Sequence, residues 1–430
     1  MPSSHKSADE RIAVIGLGYV GLPLGVELAK KYRDVRGFDI DADRVAQLCL
    51  AHDNTNEVDD TTLAATTMKV TSDPSVIANA TLYIVTVPTP IDGSKRPDLN
   101  PLRNACRLIG EYLRKGDVVV FESTVYPGVT EDICAPILSE VSGLVASQDF
   151  GLAYSAERIS PGDKKYSLTK IVKNVAGDTQ ETRDRVATVY QNIIEAGVFK
   201  VPSIKVAEAA KVLENTQRDL NIALMNELSL ICHLMDVRTT DVIEAAATKW
   251  NFMPFVPGLV GGHCISVDPY YLTARAEELG YHPEVILAGR RINDNMPKYI
   301  AQSAVKLLAQ RAQSIRASKI GILGVTFKEN VPDMRNSKVA ELISELREYG
   351  LSPLAYDPVA TSADAAAMGV ELVDESEMND LDLVILAVPH DTILQGRAVW
   401  ERVCGDGILM DIKSRLRNEP VPGGLEYWCL

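Results

Sequence analysis

The sequence predicts an α/β protein: two doubly wound parallel sheets joined by a long central helix and a helical middle. Three observations predict it. From Arg11 to about Pro202, short Val- and Ile-rich runs alternate with helix-like segments, the pattern of a parallel sheet covered by helices. The same alternation returns from Lys319 onward. Between them, Ile204 to Met235 contains no Gly or Pro and is rich in Ala, Leu, Glu and Lys. As one helix it would run roughly 45 Å, at about 1.5 Å per residue.

In the first part, Arg11–Ile15, Val35–Asp39, Thr81–Val87 and Val118–Ser123 are the expected strands, each ending at a Gly, Asp, Pro or Ser/Thr. In the last part they are Lys319–Leu323, Pro353–Tyr356, Leu381–Val388 and Gly407–Ile412. The long helix exceeds what one small domain needs. It reads as a spine joining two domains and as a dimer surface, with more helix from Tyr270 to Ala312. The expected division is 1–203, 204–303 and 304–430, which suits a chain of 430 residues.

Composition narrows the function. The chain is 46% hydrophobic and 24% charged, an ordinary globular balance. Its net charge of -14 argues against a nucleic-acid binder, yet a local Lys/Arg cluster can still receive an anion. Met1–Glu10 carries no apolar signal core, and the strongest apolar runs, Leu82–Pro88 and Leu383–Pro389, are strand-sized. The expectation is a soluble, cytoplasmic protein with no membrane partner. Seven cysteines without a C-x-x-C pair argue against a disulfide framework or a zinc site, so no metal is expected.

Gly16-Leu17-Gly18-Tyr19-Val20-Gly21 follows the first strand and opens a helix with Pro23 in its first turn. Such glycines allow a tight turn and close approach, and the helix N-terminus offers N–H groups to a pyrophosphate. Asp39 ends the second strand, where a carboxylate binds the adenosine ribose and repels a 2′-phosphate, so NAD is favoured over NADP. Arg44 is a mild counter-signal that would pack on the adenine or face solvent. Thr89 and Thr124 end strands, where ligands of open α/β sheets sit, although turn-forming residues would look the same.

A second motif is Gly261-Gly262-His263-Cys264-Ile265-Ser266-Val267-Asp268-Pro269. Two glycines let a substrate approach the sulfur, and Asp268-Pro269 reads as an N-cap with Pro at the first helical position. A helix N-terminus beside a thiol favours thiolate. The bland alternative is a buried turn thiol beside a cap. On the long helix, Glu208, Lys211, Asn215 and Arg218 fall at i, i+3, i+7 and i+10, one stripe. It is either a solvated face or, through Lys211 and Asn215, a pair of donors for an oxyanion.

Together these motifs make the chain resemble the UDP-glucose/GDP-mannose dehydrogenase family along essentially its whole length. The matching stretches are Gly16–Gly21, Val87–Pro90, Glu122–Gly128, Glu157-Arg158, Ala209–Asn215, Gly261–Asp268 and Phe327-Lys328 with Asp333, Arg335 and Ser337. Glu157–Lys164 and Lys249–Phe255 most resemble the bacterial UDP-N-acetylglucosamine and UDP-N-acetylgalactosamine 6-dehydrogenases of surface-polysaccharide synthesis. Ala156, Ser160 and Ser266 depart from the usual residues and bear on loop shape and sugar fit.

The resemblance implies two Rossmann-like domains, a homodimer formed through the central helices, NAD as cofactor and a UDP-sugar as substrate. It implies Cys264 as nucleophile, Lys211 and Asn215 as oxyanion donors, and Thr124, Glu157 and Asp268 as the residues that position and activate water. Gly16, Gly18, Tyr19, Val20, Gly21, Asp39, Arg44, Thr89, Thr124 and Arg335 would bind NAD. Glu157, Lys211, Asn215, Phe255, Gly258, Gly261 and Lys328 would hold the sugar nucleotide. The implied reaction is a four-electron oxidation of C6 of a UDP-N-acetylhexosamine, gluco or galacto. UDP-glucose or UDP-N-acetylmannosamine is the alternative substrate. A two-electron hydroxyacid-type dehydrogenase and a non-catalytic NAD sensor are the rival classes.

Overall fold

The computed structural model describes residues 10–159, 166–311, 314–396 and 398–430. The chain forms two compact units, one of Met1–Glu214 with Tyr270–Tyr281, the other of Asn215–Pro269 with His282–Leu430.

The first unit is built on eight strands: β1 (Arg11–Ile15), β2 (Asp34–Phe38), β3 (Lys69–Thr71), β4 (Leu82–Val85), β5 (Val118–Phe121), β6 (Gly151–Tyr154), β7 (Lys173–Gly177) and β8 (Val198–Lys200). Their order is β3-β2-β1-β4-β5-β6-β7-β8, so its first six strands follow the doubly wound dinucleotide-binding arrangement. β4 and β5 are buried at every residue, because helices cover both faces of a parallel sheet. The expected four strands are present. The other four were not expected, and two of them, β3 and β8, have three residues each, too few to show a period. One pairing departs from the expected parallel sheet: β7 runs antiparallel to β6.

The second unit carries β9 (Ile320–Leu323), β10 (Leu354–Tyr356), β11 (Leu381–Leu386), β12 (Val403–Asp411) and β13 (Glu426–Cys429), all parallel, in the order β10-β9-β11-β12-β13. Two apolar clusters fill this unit, one built on Ile320, Ile322, Leu383 and Ile385, the other on Leu323, Val384, Leu386 and Leu409. Strand alternation divides them between the two faces of the sheet.

The long helix spans Ile204–Leu234, 31 residues. The helical stretch expected from Tyr270 to Ala312 is two helices, Asp268–Glu278 and Glu284–Arg311. Gly280, at φ +84°, ends the first, and Pro283 precedes the second. Among the described residues, no helix is long and apolar enough to cross a membrane, and no His/Cys/Asp/Glu group could hold a metal.

Candidate active site

The first unit supplies the glycine turn. Gly16 sits at φ +95°, and its N–H donates to the Phe38 carbonyl at 2.8 Å. A Cβ at Gly21 would lie 1.9 Å from the Gly16 oxygen, so only glycine lets the helix Gly21–Ala29 pack this closely. A Cβ at Gly18 would meet nothing within 4 Å. The space over Gly18 is open, and the helix behind it has no side-chain cap. That is the cradle a pyrophosphate requires. Tyr19 and Val20 complete the turn and are half-buried.

Asp39 is already engaged: Oδ2 accepts from Leu17 N at 2.7 Å and Oδ1 from Asp41 N at 3.0 Å. Arg44 does not face solvent. It is 8% exposed, donates from Nε and Nη2 to the Leu17 carbonyl at 3.1 and 3.0 Å, and pairs with Asp53 at 2.8 Å. Burial raises the Asp53 carboxyl, but hydrogen bonds from Thr55, Val58 N and Arg44 outweigh it and hold the group below its usual range. Arg44 and Asp39 thus brace the turn at Leu17 from both sides. Thr89 and Thr124 are half-buried just beyond β4 and β5, at the carboxyl ends where ligands of such sheets bind.

Glu157 follows β6 and is buried. Its Oε2 accepts from Lys173 Nζ at 3.0 Å, and its Oε1 from the N–H groups of Arg158 and Ile159. Ser160 to Lys164, part of the stretch that suggests the sugar subgroup, lie outside the described residues. The stripe on the long helix is not a solvated face. Glu208, Lys211 and Asn215 are 0%, 8% and 6% exposed, and only Arg218 lies in solvent. Glu208 closes the end of the Glu122–Gly128 stretch, accepting from Gly128 N at 2.6 Å and Thr130 N at 2.9 Å. Lys211 forms no hydrogen bond or ion pair among the described residues, so its ammonium is available to a ligand.

In the second unit, Asn215 Nδ2 donates to Asp268 Oδ2 at 2.5 Å, with both side chains buried. The helix begins at Asp268 rather than Pro269, and the Asp268 carboxylate is tied to the long helix. Cys264 is half-buried, one turn before that helix, with its carbonyl accepting from Asp268 N at 2.8 Å. The two glycines before it are demanded by packing. A Cβ at Gly261 would lie 2.6 Å from the Asn336 oxygen. Gly262, at φ +86°, would press a Cβ to 2.7 Å from Phe327. His263 lies 3.1 Å from Asp333. Burial and the Arg335 guanidinium push its pKa down against the pull of Asp333, which leaves a neutral imidazole. Arg335 is itself paired with Asp333 at 2.8 Å.

Gly258 is pinned by Asn226, which accepts from Gly258 N at 2.8 Å and donates to its carbonyl at 3.1 Å. Behind Asn226 runs a buried chain through Asn293 and Asp219 to Arg290. Phe255, three residues earlier, is half-buried. Beyond the carboxyl ends of β9, β11 and β12 a small cleft is lined by Leu259, Gly261, Phe327, Ser337, Lys338 and Lys413 among others. It meets the N-terminus of the helix Lys338–Glu348, capped by Ser337. Lys328 lies on the adjoining loop, where its carbonyl accepts from Thr326 Oγ1 at 3.0 Å.

Sequence reasoning missed Lys173, Asn226, Asn293 and the pair Asp357–His390, and placed Glu122 in a matching stretch without a role. Asp357 had a signal. Gly324 N donates to the Tyr356 carbonyl at 2.8 Å and Val325 N to Asp357 Oδ2 at 2.6 Å, the same turn that Gly16, Leu17 and Asp39 make. Here, however, His390 seals the carboxylate at 3.0 Å, with neither side chain exposed. The turn of the second unit therefore has no open carboxylate for a ribose.

The fold and the open glycine cradle define a dinucleotide-binding protein. Three family domain descriptions match in order: the UDP-glucose/GDP-mannose dehydrogenase family NAD binding domain over residues 10–194, its central domain over 205–295 and its UDP binding domain over 321–418. The chain belongs to this family, and is an NAD-dependent enzyme of the UDP-sugar dehydrogenase class. It is 49% identical to a UDP-N-acetyl-D-glucosamine 6-dehydrogenase of Pseudomonas aeruginosa, over 96% of this chain and 98% of that protein. It is 48% identical to protein CapL of Staphylococcus aureus, over 98% and 100%. Among solved structures it resembles a UDP-D-ManNAc dehydrogenase from Pyrococcus horikoshii, with TM-score 0.87 and 30% identity, covering 97% of this chain and 98% of that one.

Proposed function

We propose that the protein oxidises C6 of a UDP-N-acetylhexosamine, gluco or galacto, to the carboxylate, through a covalent adduct on Cys264, as a cytoplasmic homodimer supplying polysaccharide synthesis. One observation carries the covalent reading. The Asn215–Asp268 hydrogen bond ties the cysteine turn to the helix face that Asn215 shares with Lys211. The P. aeruginosa and Salmonella typhi relatives named UDP-N-acetyl-D-glucosamine 6-dehydrogenases support the sugar. The matches over 10–194, 205–295 and 321–418 support a division near 1–203, 204–303 and 304–430.

NAD, when bound, supplies the hydride acceptor for each of two oxidations. The Gly16–Gly21 turn, Asp39, Thr89 and Thr124 hold it in this reading, with Arg335 from the C-terminal part and Arg44 bracing the turn. The first oxidation takes a hydride and a proton from the C6 alcohol and leaves an aldehyde. Cys264 sulfur, as thiolate, adds to the aldehyde carbon, and the Lys211 ammonium and Asn215 amide stabilise the oxyanion. Loss of a second hydride from this thiohemiacetal gives a thioester. Water, positioned by Thr124, Glu157 and Asp268, adds to the thioester carbonyl. The C–S bond breaks, the thiolate leaves, and the water's protons pass to solvent. In sum, one alcohol, two NAD and one water give one carboxylate, two NADH and three protons. The cleft with Lys338, Lys413 and a helix N-terminus suits the diphosphate, and Phe255, Gly258, Gly261 and Lys328 hold the rest of the sugar nucleotide.

NADH stoichiometry with intact-protein mass spectrometry tests this. The wild-type enzyme should yield two NADH per UDP-N-acetylglucosamine or UDP-N-acetylgalactosamine, with UDP-glucose poorer in kcat/KM. Cys264→Ala should stop after at most one NADH and never acquire the sugar mass. Two NADH at near wild-type rate from that variant would remove Cys264 from the reaction.

A further inference from the structure

Behind Glu157 lies a buried charged cluster that the reaction above does not use. Glu122 follows β5, Glu157 follows β6, Lys173 opens β7, and Tyr190 comes from the helix Gln180–Gln191. Lys173 Nζ is 2.6 Å from Glu122 Oε2 and 3.0 Å from Glu157 Oε2. Tyr190 OH donates to the other Glu122 oxygen. Side-chain exposure is 0% for Glu122, 3% for Lys173 and 10% for Glu157, so Glu157 is the member a substrate can reach. The Arg158 guanidinium is turned away, to the Val172 carbonyl and Glu214.

Two carboxylates share one ammonium in a place where an uncompensated charge is costly. Their environments separate them. Burial pushes Glu122 up to about 7, against the pull of Lys173. Burial also raises Glu157, but Lys173 and the N–H groups of Arg158 and Ile159 outweigh it and hold that carboxyl below its usual range. Lys173, despite burial, is held above its usual value by both glutamates.

We propose that Lys173 is a positioning residue for the hydrolytic step: acting through Glu157, it holds that side chain in place as a charged acceptor for the attacking water, while Glu122 takes the cluster's spare proton. The inference rests on the water-positioning role given to Glu157. Glu157 then orients water and stores no proton, because three donors hold it ionised and occupy three of its roughly four lone-pair sites, leaving one for water.

Lys173→Met, Lys173→Arg and Glu122→Gln test it. In Lys173→Met, kcat should fall on the order of 10²-fold with little change in KM. The first NADH should persist and acyl-enzyme should build up on Cys264. The kcat–pH profile should gain an acid limb at higher pH than in wild type. Lys173→Arg should recover part of the rate, and Glu122→Gln should leave the acid limb where it is in wild type, because Glu122 is already protonated at the pH where Glu157 titrates. A uniform loss with no change in the profile, or a first turnover slowed as much as the second, overturns the proposal and leaves a structural ion pair. Infrared pH titration, with the Glu157 band identified by its loss in Glu157→Gln, needs no turnover. Glu157 should stay ionised through neutral pH in wild type and show a protonated carboxyl in Lys173→Met. A protonated Glu157 in the wild type at neutral pH, or a band indifferent to Lys173, overturns it too. A wild type that reduces no NAD with any UDP-sugar defeats the dehydrogenation reading, while the infrared result still decides the role of Lys173.

Discussion

Single residues here carry charge in places where charge is expensive, and their neighbours decide its state. Glu208 is fully buried and accepts two backbone N–H bonds, yet burial dominates and pushes it up to about 7 from 4.5. The sign follows from linkage. A raised carboxyl contributes stability that is complete below about pH 4.5 and is lost as pH rises through 7, on the order of 3 kcal/mol. Glu208→Gln cannot ionise, so its Tm should gain on wild type across that window, whatever constant offset its lost acceptor causes. Thermal melts of both proteins from acid to neutral pH check this, and a constant gap between the curves would mean that Glu208 titrates normally. Asp39 belongs to the same scale. Its carboxylate both braces Leu17 N and should repel a 2′-phosphate. Asp39→Asn keeps an acceptor for the turn but removes the charge, so kcat/KM for NADP relative to NAD should rise about tenfold or more. Wild-type enzyme that used NADP as well as NAD would remove the carboxylate from cofactor choice.

At the scale of elements, the cysteine loop is shaped by what packs against it. Gly262 combines φ +86° with a Phe327 ring where its Cβ would be. Gly262→Ala should cost about 1–3 kcal/mol through the backbone. It should also displace Phe327 and Lys328, raising KM for the UDP-sugar more than it lowers kcat. Melting temperature and steady-state kinetics together check this, and an unchanged KM would detach the Phe327 loop from substrate binding. The glycines were legible as a loop signal, but their cause was not. Sequence suggests access for a substrate, whereas the structure shows Asn336 and Phe327 pressed against both positions. Short strands were equally illegible. β3 and β8 have three residues each, and it is their edge pairing that makes them strands.

At the scale of the whole molecule, the long helix bears an exposed apolar stripe. Val206, Leu213, Leu224 and Ile231 are 48%, 61%, 57% and 47% exposed, and their spacings of 7, 11 and 7 keep them on one helix face. That stripe supports the proposed homodimer. Leu213→Glu with Leu224→Glu should give monomers by light scattering, and a dimer that survives both charges would place the interface elsewhere. The α/β class, the glycine turn, the long helix and the residue types able to do the chemistry can all be read along the chain. These follow from local periodicity, strand-end position and the special backbone of glycine, all of which are written along the chain. The partners of the buried charges came from the packed fold alone: Arg44 with Asp53, Lys173 between Glu122 and Glu157, Glu208 with the Gly128 and Thr130 N–H groups, and Asp268 with the Asn215 amide. The reason is physical. Desolvation and hydrogen-bond geometry depend on which elements pack together, and Lys173 meets a glutamate 51 positions away because β7 folds back antiparallel beside β6.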